Sequence, residues 1–186
     1  MKSASLAGLI VPALVLAACA PAPTRPPPAP PAVSTAQAAT VVLASASGSL
    51  VSGKLDVVPM RDGVHLTGEI GGLQRAGTHA IHIHETGDCS AVDASSAGAH
   101  FNPAAQPHGK VGAGAHHAGD MDNLTANAQG VARINAHASG VTLGGGAAND
   151  VAGRAVIVHA MPDDYRTQPT GNAGARVACG IIRVTR

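Results

Sequence analysis

Aromatic side chains are almost missing. The 186 residues contain one Phe (Phe101), one Tyr (Tyr165) and no Trp. This excludes the stacking platforms on which single strands or RNA bases are read. Charge is sparse as well: 12% of residues are charged and the formal net charge is +1. No basic patch invites nucleic acid, and no acidic run forms a solvated tail. The apolar run from Leu6 to Ala18 is too short to span a bilayer comfortably. No window of twelve or more residues carries a capped helical stripe, while 23 Gly and 13 Pro supply turns, so a helical bundle is excluded.

The N-terminal segment has an export pattern. Lys2 precedes the apolar run, which ends in Leu16-Ala17-Ala18-Cys19. These four residues resemble a bacterial lipobox. The pattern predicts a signal peptide over residues 1–18, cleavage before Cys19 and acylation of that cysteine. Acyl chains on Cys19 would anchor the protein to a membrane of the cell envelope, facing the periplasm or exterior. Residues 19–39 then read as a linker, with Pro21, Pro23, Pro26, Pro27, Pro28, Pro30 and Pro31 among alanines. Such a segment favours polyproline II and builds no core.

Residues 40–186 are expected to fold. Short segments with β-branched residues or period-two patterning run over Thr40–Ser47, Ser49–Val58, Val64–Ile70, His79–Glu85, Val131–His137, Gly153–His159 and Cys179–Val184, with Met121–Ala126 a weaker eighth. Turn dipeptides such as Ser47-Gly48, Asp62-Gly63 and Gln129-Gly130 bound them. The pattern predicts an all-β antiparallel sandwich or barrel. Two long strand-poor stretches, Thr86–Gly119 and Ala160–Arg176, are candidate functional loops. Cys89 and Cys179 are the two cysteines of this part. In an oxidising compartment a disulfide is the default between them.

Ten histidines are many for this length. In Ile81-His82-Ile83-His84 the residue types alternate, so on a strand both isoleucines enter the core and both imidazoles share the opposite face. Two neutral imidazoles on one face can close on one metal. The long loop adds His100, His108, His116-His117 and Asp120, and His159 ends the apolar strand Ala155-Val156-Ile157-Val158. Three histidines and an aspartate suit tetrahedral zinc.

These pieces together resemble the copper/zinc superoxide dismutases. The matching segments are His82-Ile83-His84, Gly87-Asp88-Cys89, Gly98-Ala99-His100-Phe101-Asn102-Pro103, His108-Gly109, His117-Ala118-Gly119-Asp120, Val158-His159 and Gly171-Asn172-Ala173-Gly174-Ala175-Arg176-Val177-Ala178-Cys179-Gly180. They follow the family's order across nearly all of residues 40–186. The resemblance implies an eight-stranded Greek-key sandwich and dismutation of superoxide to O2 and H2O2. It implies copper on His82, His84, His100 and His159, and zinc on His100, His108, His117 and Asp120, with His100 bridging. Arg176 would attract and orient the anion, and His100 would hold a proton during turnover. Asp163 would link His82 to His108, Thr170 would lie at the channel rim, and Cys89 and Cys179 would form the family's disulfide. His65, His79, His116 and His137 receive no metal role by this match.

Two segments depart from the eukaryotic pattern. Ser90–Ala99 is longer, and the stretch between His159 and Arg176 is shorter and has Arg166 as its only cation. Lys110 or Arg166 are the candidates for steering superoxide. The competing reading is a non-catalytic exported copper/zinc-binding protein on the same fold. Family members pair through different surfaces or stay monomeric, so a homodimer is left open, and no nucleic-acid partner is expected.

Overall fold

The computed structural model describes residues 32–186. The expected signal peptide, Cys19 and most of the linker lie outside these residues. Ten strands follow in chain order: β1 (Ala39–Ser45), β2 (Ser52–Met60), β3 (Gly63–Gly71), β4 (Thr78–His79), β5 (Ile81–His84), β6 (Leu124–Thr125), β7 (Ala132–Ser139), β8 (Ala155–His159), β9 (Arg176–Ile181) and β10 (Arg183–Val184). The single helical turn among the described residues is a 3-10 turn at Ser95–Ala97.

All strand pairings are antiparallel, in the order β5-β8-β9-β1-β2-β3-β7, with β10 beside β1 and a separate β4-β6 pair. β1 joins the two halves, since residues 39–43 pair with β2 and Ala44 and Ser45 pair with β9. The sheet therefore curls into a half-barrel. Alternation sets which face is inside: Leu55 and Val57 of β2, Val64, Leu66 and Ile70 of β3, and Ile134 and Ala138 of β7 are buried in one core. Branched aliphatics fill it, and Phe101 is its one aromatic.

Two expected strands are interrupted. His79–Glu85 breaks at Ala80, whose N–H and carbonyl pair with Met161 and His159 of the second long loop and β8. β4 then turns to β6 while β5 joins β8. The last strand starts earlier than expected, at Arg176, and breaks at Ile182, where the chain pairs with Gly153 and Arg154. The boundary expected at residue 40 also shifts. Thr35 and Ala36 donate to the Leu143 carbonyl, Gln37 and Ala38 donate to Arg186, and Ala39 is buried. The folded body therefore begins ahead of residue 40, because these backbone groups find partners on Leu143 and Arg186 instead of staying solvated.

Both long loops carry no strand, as their composition implies. The Cys89–Cys179 disulfide spans 90 residues and fastens the first loop to β9. A second small cluster, Ala46, Ala94, Ala97, Ala155, Ile157 and Cys179, seals the space beneath that loop.

Candidate metal centre

The site is assembled on the free edge of β5. Ile83 donates its N–H to the Gly119 carbonyl and accepts from the N–H of Phe101. These bonds dock the first long loop along the strand and bring Asp120 opposite His82 and His100 opposite His84. Gly119 is required at that contact, because a Cβ there would lie 2.1 Å from the Ile83 carbonyl oxygen. The expected two-faced strand is thus buried on both faces: Ile81 and Ile83 enter the core, while His82 and His84 lie beneath the loop. β8 delivers His159 beside them, after a register shift between Val158 and His159.

Two buried donor sets result. One is His82, His84, His100 and His159; the other is His100, His108, His117 and Asp120. Within the first, His82 Nδ1, His84 Nε2, His100 Nε2 and His159 Nε2 are all buried without a hydrogen-bond partner. Unpartnered buried nitrogens are costly. Four of them converging fit a metal that prefers imidazole nitrogen in tetragonal array, as Cu(II) does.

The opposite nitrogens are held. Asp163 binds His82 Nε2 through Oδ2 and His108 Nε2 through Oδ1, each at 2.9 Å, with both side chains fully enclosed. His84 Nδ1 donates to the Gly98 carbonyl at 3.0 Å. Each such bond selects a tautomer and aims the other nitrogen inward.

In the second set, Asp120 Oδ2 accepts the Gly109 and His117 N–H groups. Asp120 Oδ1 lies 2.9 Å from His100 Nδ1 and 3.4 Å from His117 Nδ1. His108 Nδ1 is 3.0 Å from Asp120 Oδ2. A tetrahedral zinc with bonds of about 2.0–2.1 Å needs donors roughly 3.3 Å apart. The set of three nitrogens and one carboxylate oxygen therefore fits zinc. His100 offers Nε2 to one set and Nδ1 to the other. The doublet is resolved by the fold: His117 joins the second set, whereas His116 bonds the His117 carbonyl at 2.7 Å.

Electrostatics agree with neutral ligands. Burial pushes His82 down to about 4, His84 to about 2 and His159 to about 3, and the neighbouring imidazoles add to the effect. Asp120 behaves oppositely. Burial opposes its charge, yet the His100 contact and two backbone N–H groups hold its carboxyl well below the usual range.

Arg176 is half-buried at the start of β9. Nη1 donates to Ala94 at 2.7 Å and Nη2 to Gly98 at 2.6 Å. Both acceptors belong to the disulfide-anchored loop. The Gly98 carbonyl thus touches both Arg176 and His84, a link with no local signal in sequence. Thr170 is half-buried and precedes Gly171, whose φ is +65° and whose Cα packs against Asp163. Three further supports escaped the sequence reading. Gln168 binds the His108 backbone reciprocally, donating to its carbonyl and accepting from its N–H, both at 2.8 Å. Asn123 makes the same reciprocal pair with the Asp163 backbone and donates its N–H to Tyr165 Oη. His79 binds the His159 carbonyl at 3.0 Å. Only the glycine in Thr170-Gly171-Asn172 hinted at a close approach. Lys110 and Arg166 line a cleft beside His108, with Lys110 Nζ 5.3 Å from the Tyr165 ring centre.

A curled Greek-key sheet with two buried donor sets sharing one imidazole defines a dinuclear metalloprotein. The family model described as Copper/zinc superoxide dismutase (SODC) matches residues 51–182. The chain is 42% identical over 150 residues to "Superoxide dismutase [Cu-Zn]" of Caulobacter vibrioides, covering 78% of this chain and 85% of the relative. It is 39% identical over 136 residues to "Superoxide dismutase [Cu-Zn] 2" of Aquifex aeolicus, covering 72% and 80%. Among solved structures it is similar to a SOD-like protein from Bacillus subtilis, with TM-score 0.70, 32% identity and coverage of 77% of this chain and 97% of the other. The chain belongs to the copper/zinc superoxide dismutase family.

Proposed function

We propose that this chain converts two superoxide anions and two protons into O2 and H2O2. The observation that carries the reading is His100, whose two nitrogens face two different buried donor sets. Copper would be held by His82, His84, His100 and His159, and zinc by His100, His108, His117 and Asp120. When bound, copper supplies one-electron exchange with superoxide, and zinc supplies fixed positive charge without redox chemistry.

The residues do the rest. Arg176, held by two carbonyls, presents a guanidinium that can attract and orient a small anion. Thr170 borders the same approach. With its Nε2 free of metal, His100 would hold one proton there for peroxide formation and release it to the product. Asp163 fixes the tautomers of His82 and His108, so neither ring turns its N–H toward the ligand pocket. Burial of the imidazoles excludes water and keeps them neutral between turnovers. Lys110 or Arg166 supplies the positive potential that steers the anion.

The test is superoxide decay by stopped flow on the full chain loaded with copper and zinc. The expected result is copper-dependent second-order loss near the diffusional ceiling of about 10⁸–10⁹ M⁻¹s⁻¹. Stoichiometric copper with no turnover would make this an exported metal-holding protein instead.

The same reading places the enzyme in the cell envelope. The disulfide suits an oxidising compartment, and Leu16-Ala17-Ala18-Cys19 supports acylation at Cys19. Metabolic labelling with a fatty acid should mark the native chain and leave Cys19→Ser unlabelled.

A further inference from the structure

Every polar atom of His108 but one is held from the second long loop. Its N–H donates to Gln168 Oε1 and its carbonyl accepts from Gln168 Nε2, both at 2.8 Å. Its Nε2 meets Asp163 Oδ1 at 2.9 Å. The atom left over, Nδ1, is buried without a hydrogen-bond partner and lies 3.0 Å from Asp120 Oδ2 in the second donor set. The other members of that set are fixed differently. His117 and Asp120 hold each other within the first loop, and His100 is bridged to His84 of β5. His108 belongs to no strand.

Gln168 gives His108 what a neighbouring strand would give it. A strand partner offers an acceptor and a donor side by side, and a neutral carboxamide carries both in one plane. Its second amide hydrogen goes to the Arg166 carbonyl at 3.3 Å. The turn that carries it is closed on itself. Asp164 Oδ1 accepts the N–H groups of Arg166 and Thr167 at 2.9 and 2.8 Å, and Oδ2 accepts the Thr167 hydroxyl at 2.6 Å. Gly171 donates to the Thr167 carbonyl and accepts from the Asp164 N–H. Burial does not impose these contacts, because Gln168 is exposed and its partner is 60 positions away in the chain.

We propose that Gln168 is a positioning residue for zinc, acting through the backbone of His108 and making zinc retention depend on the second long loop. The inference rests on the assignment of zinc to His100, His108, His117 and Asp120. Without the two amide bonds, the His108 backbone has no hydrogen-bond partner among the described residues. The ring is then tethered by Asp163 alone, leaves the donor set more often, and lets zinc go sooner. None of the four copper-set histidines bonds to Gln168, so copper is unaffected.

The test follows zinc release from the full chain loaded with copper and zinc, in excess coloured chelator. Gln168→Ala should release zinc about tenfold faster than the native chain, at the lower end of the range for contacts behind a metal ligand. Gln168→Glu keeps the acceptor but sets an oxygen against the His108 carbonyl, so it should release zinc at least as fast. With Co(II) in place of zinc, the visible bands of both variants should differ from native, while copper content stays the same. Val57→Ala, in the core of β2 away from both donor sets, is the control for a merely structural loss. It should lower the urea midpoint and leave zinc release and the Co(II) bands as in the native chain. Native release rates and Co(II) bands in both Gln168 variants would overturn the proposal, as would equal acceleration in Val57→Ala. A native chain that takes up no zinc would overturn the zinc assignment itself, and the proposal with it.

Discussion

Asp163→Asn separates the two donor sets by which carboxylate oxygen each one uses. The native carboxylate accepts from His82 and His108 at 2.9 Å each, and from the N–H of Tyr165 at 2.7 Å. An asparagine keeps one acceptor oxygen and puts an NH2 where the other was. In either orientation one imidazole N–H then meets a donor. That ring must change tautomer and point its hydrogen into the ligand pocket, or swing away. His82 sits in β5, paired through its backbone with Ile157 of β8. His108 belongs to no strand, and its backbone is held by Gln168 alone among side chains. Oδ1 nevertheless takes both the His108 and the Tyr165 N–H groups, so an asparagine keeps its oxygen there and turns its NH2 to His82, whose ring yields first. Loss of such a supporting contact costs about 10- to 100-fold in metal affinity, or about 1.4–2.7 kcal/mol. The expectation is a fall of that size at the His82 set and a smaller one, under about tenfold, at the His108 set. Competition titrations of the metal-free protein with zinc and then copper measure both. Copper affinity within a factor of two of native, or a larger loss at the zinc set, would refute the reasoning.

Three further outcomes follow from the same geometry. Gly171→Ala should mimic loss of Asp163, since its Cβ would sit 1.8 Å from Asp163 Oδ1 at a φ of +65°; metal content after purification reads this, and full zinc occupancy would contradict it. The metal-free protein should lose stability on acidification. Unfolded histidines titrate near 6.5, whereas His82, His84 and His159 are held at about 4, about 2 and about 3. Below about pH 6.5 the unfolded state therefore binds more protons. Stability falls as pH drops, by up to about 1.4 kcal/mol per unit for each histidine; an equal urea midpoint at pH 7.5 and 5 would exclude this. Replacing Cys89 and Cys179 with alanine should cost up to about 4–5 kcal/mol in the chain-entropy model and loosen the Ala94 and Gly98 carbonyls that hold Arg176. Denaturation and kcat/KM should decline together, and unaltered kcat/KM would show that the loop holds Arg176 without the bond.

Local chemistry was enough for much of this protein. The alternation in Ile81-His82-Ile83-His84 assigned core and ligand faces, because side chains on a strand alternate regardless of what packs above them. Gly and Asp-Gly punctuation located the strands to within a few residues, and strand-poor composition marked both long loops. The matched family segments contain the residues that the fold gathers into the two donor sets. Contacts between distant residues were beyond its reach. Ala80 interrupts an apparently continuous strand because Met161 and His159 compete for its backbone. Residues 35–38 join the body because Leu143 and Arg186 offer them partners. Which nitrogen of each histidine faces the metal depends on Asp163, Gly98 and Asp120, residues as much as 81 positions away. The pairing of His65 with His137 arises only when β3 meets β7. Sequence determines what a residue can donate or accept and which way it faces along its own strand. Tertiary structure decides which orphaned atoms meet, since a hydrogen bond or a ligand set depends on the distance and direction between atoms the chain itself keeps apart.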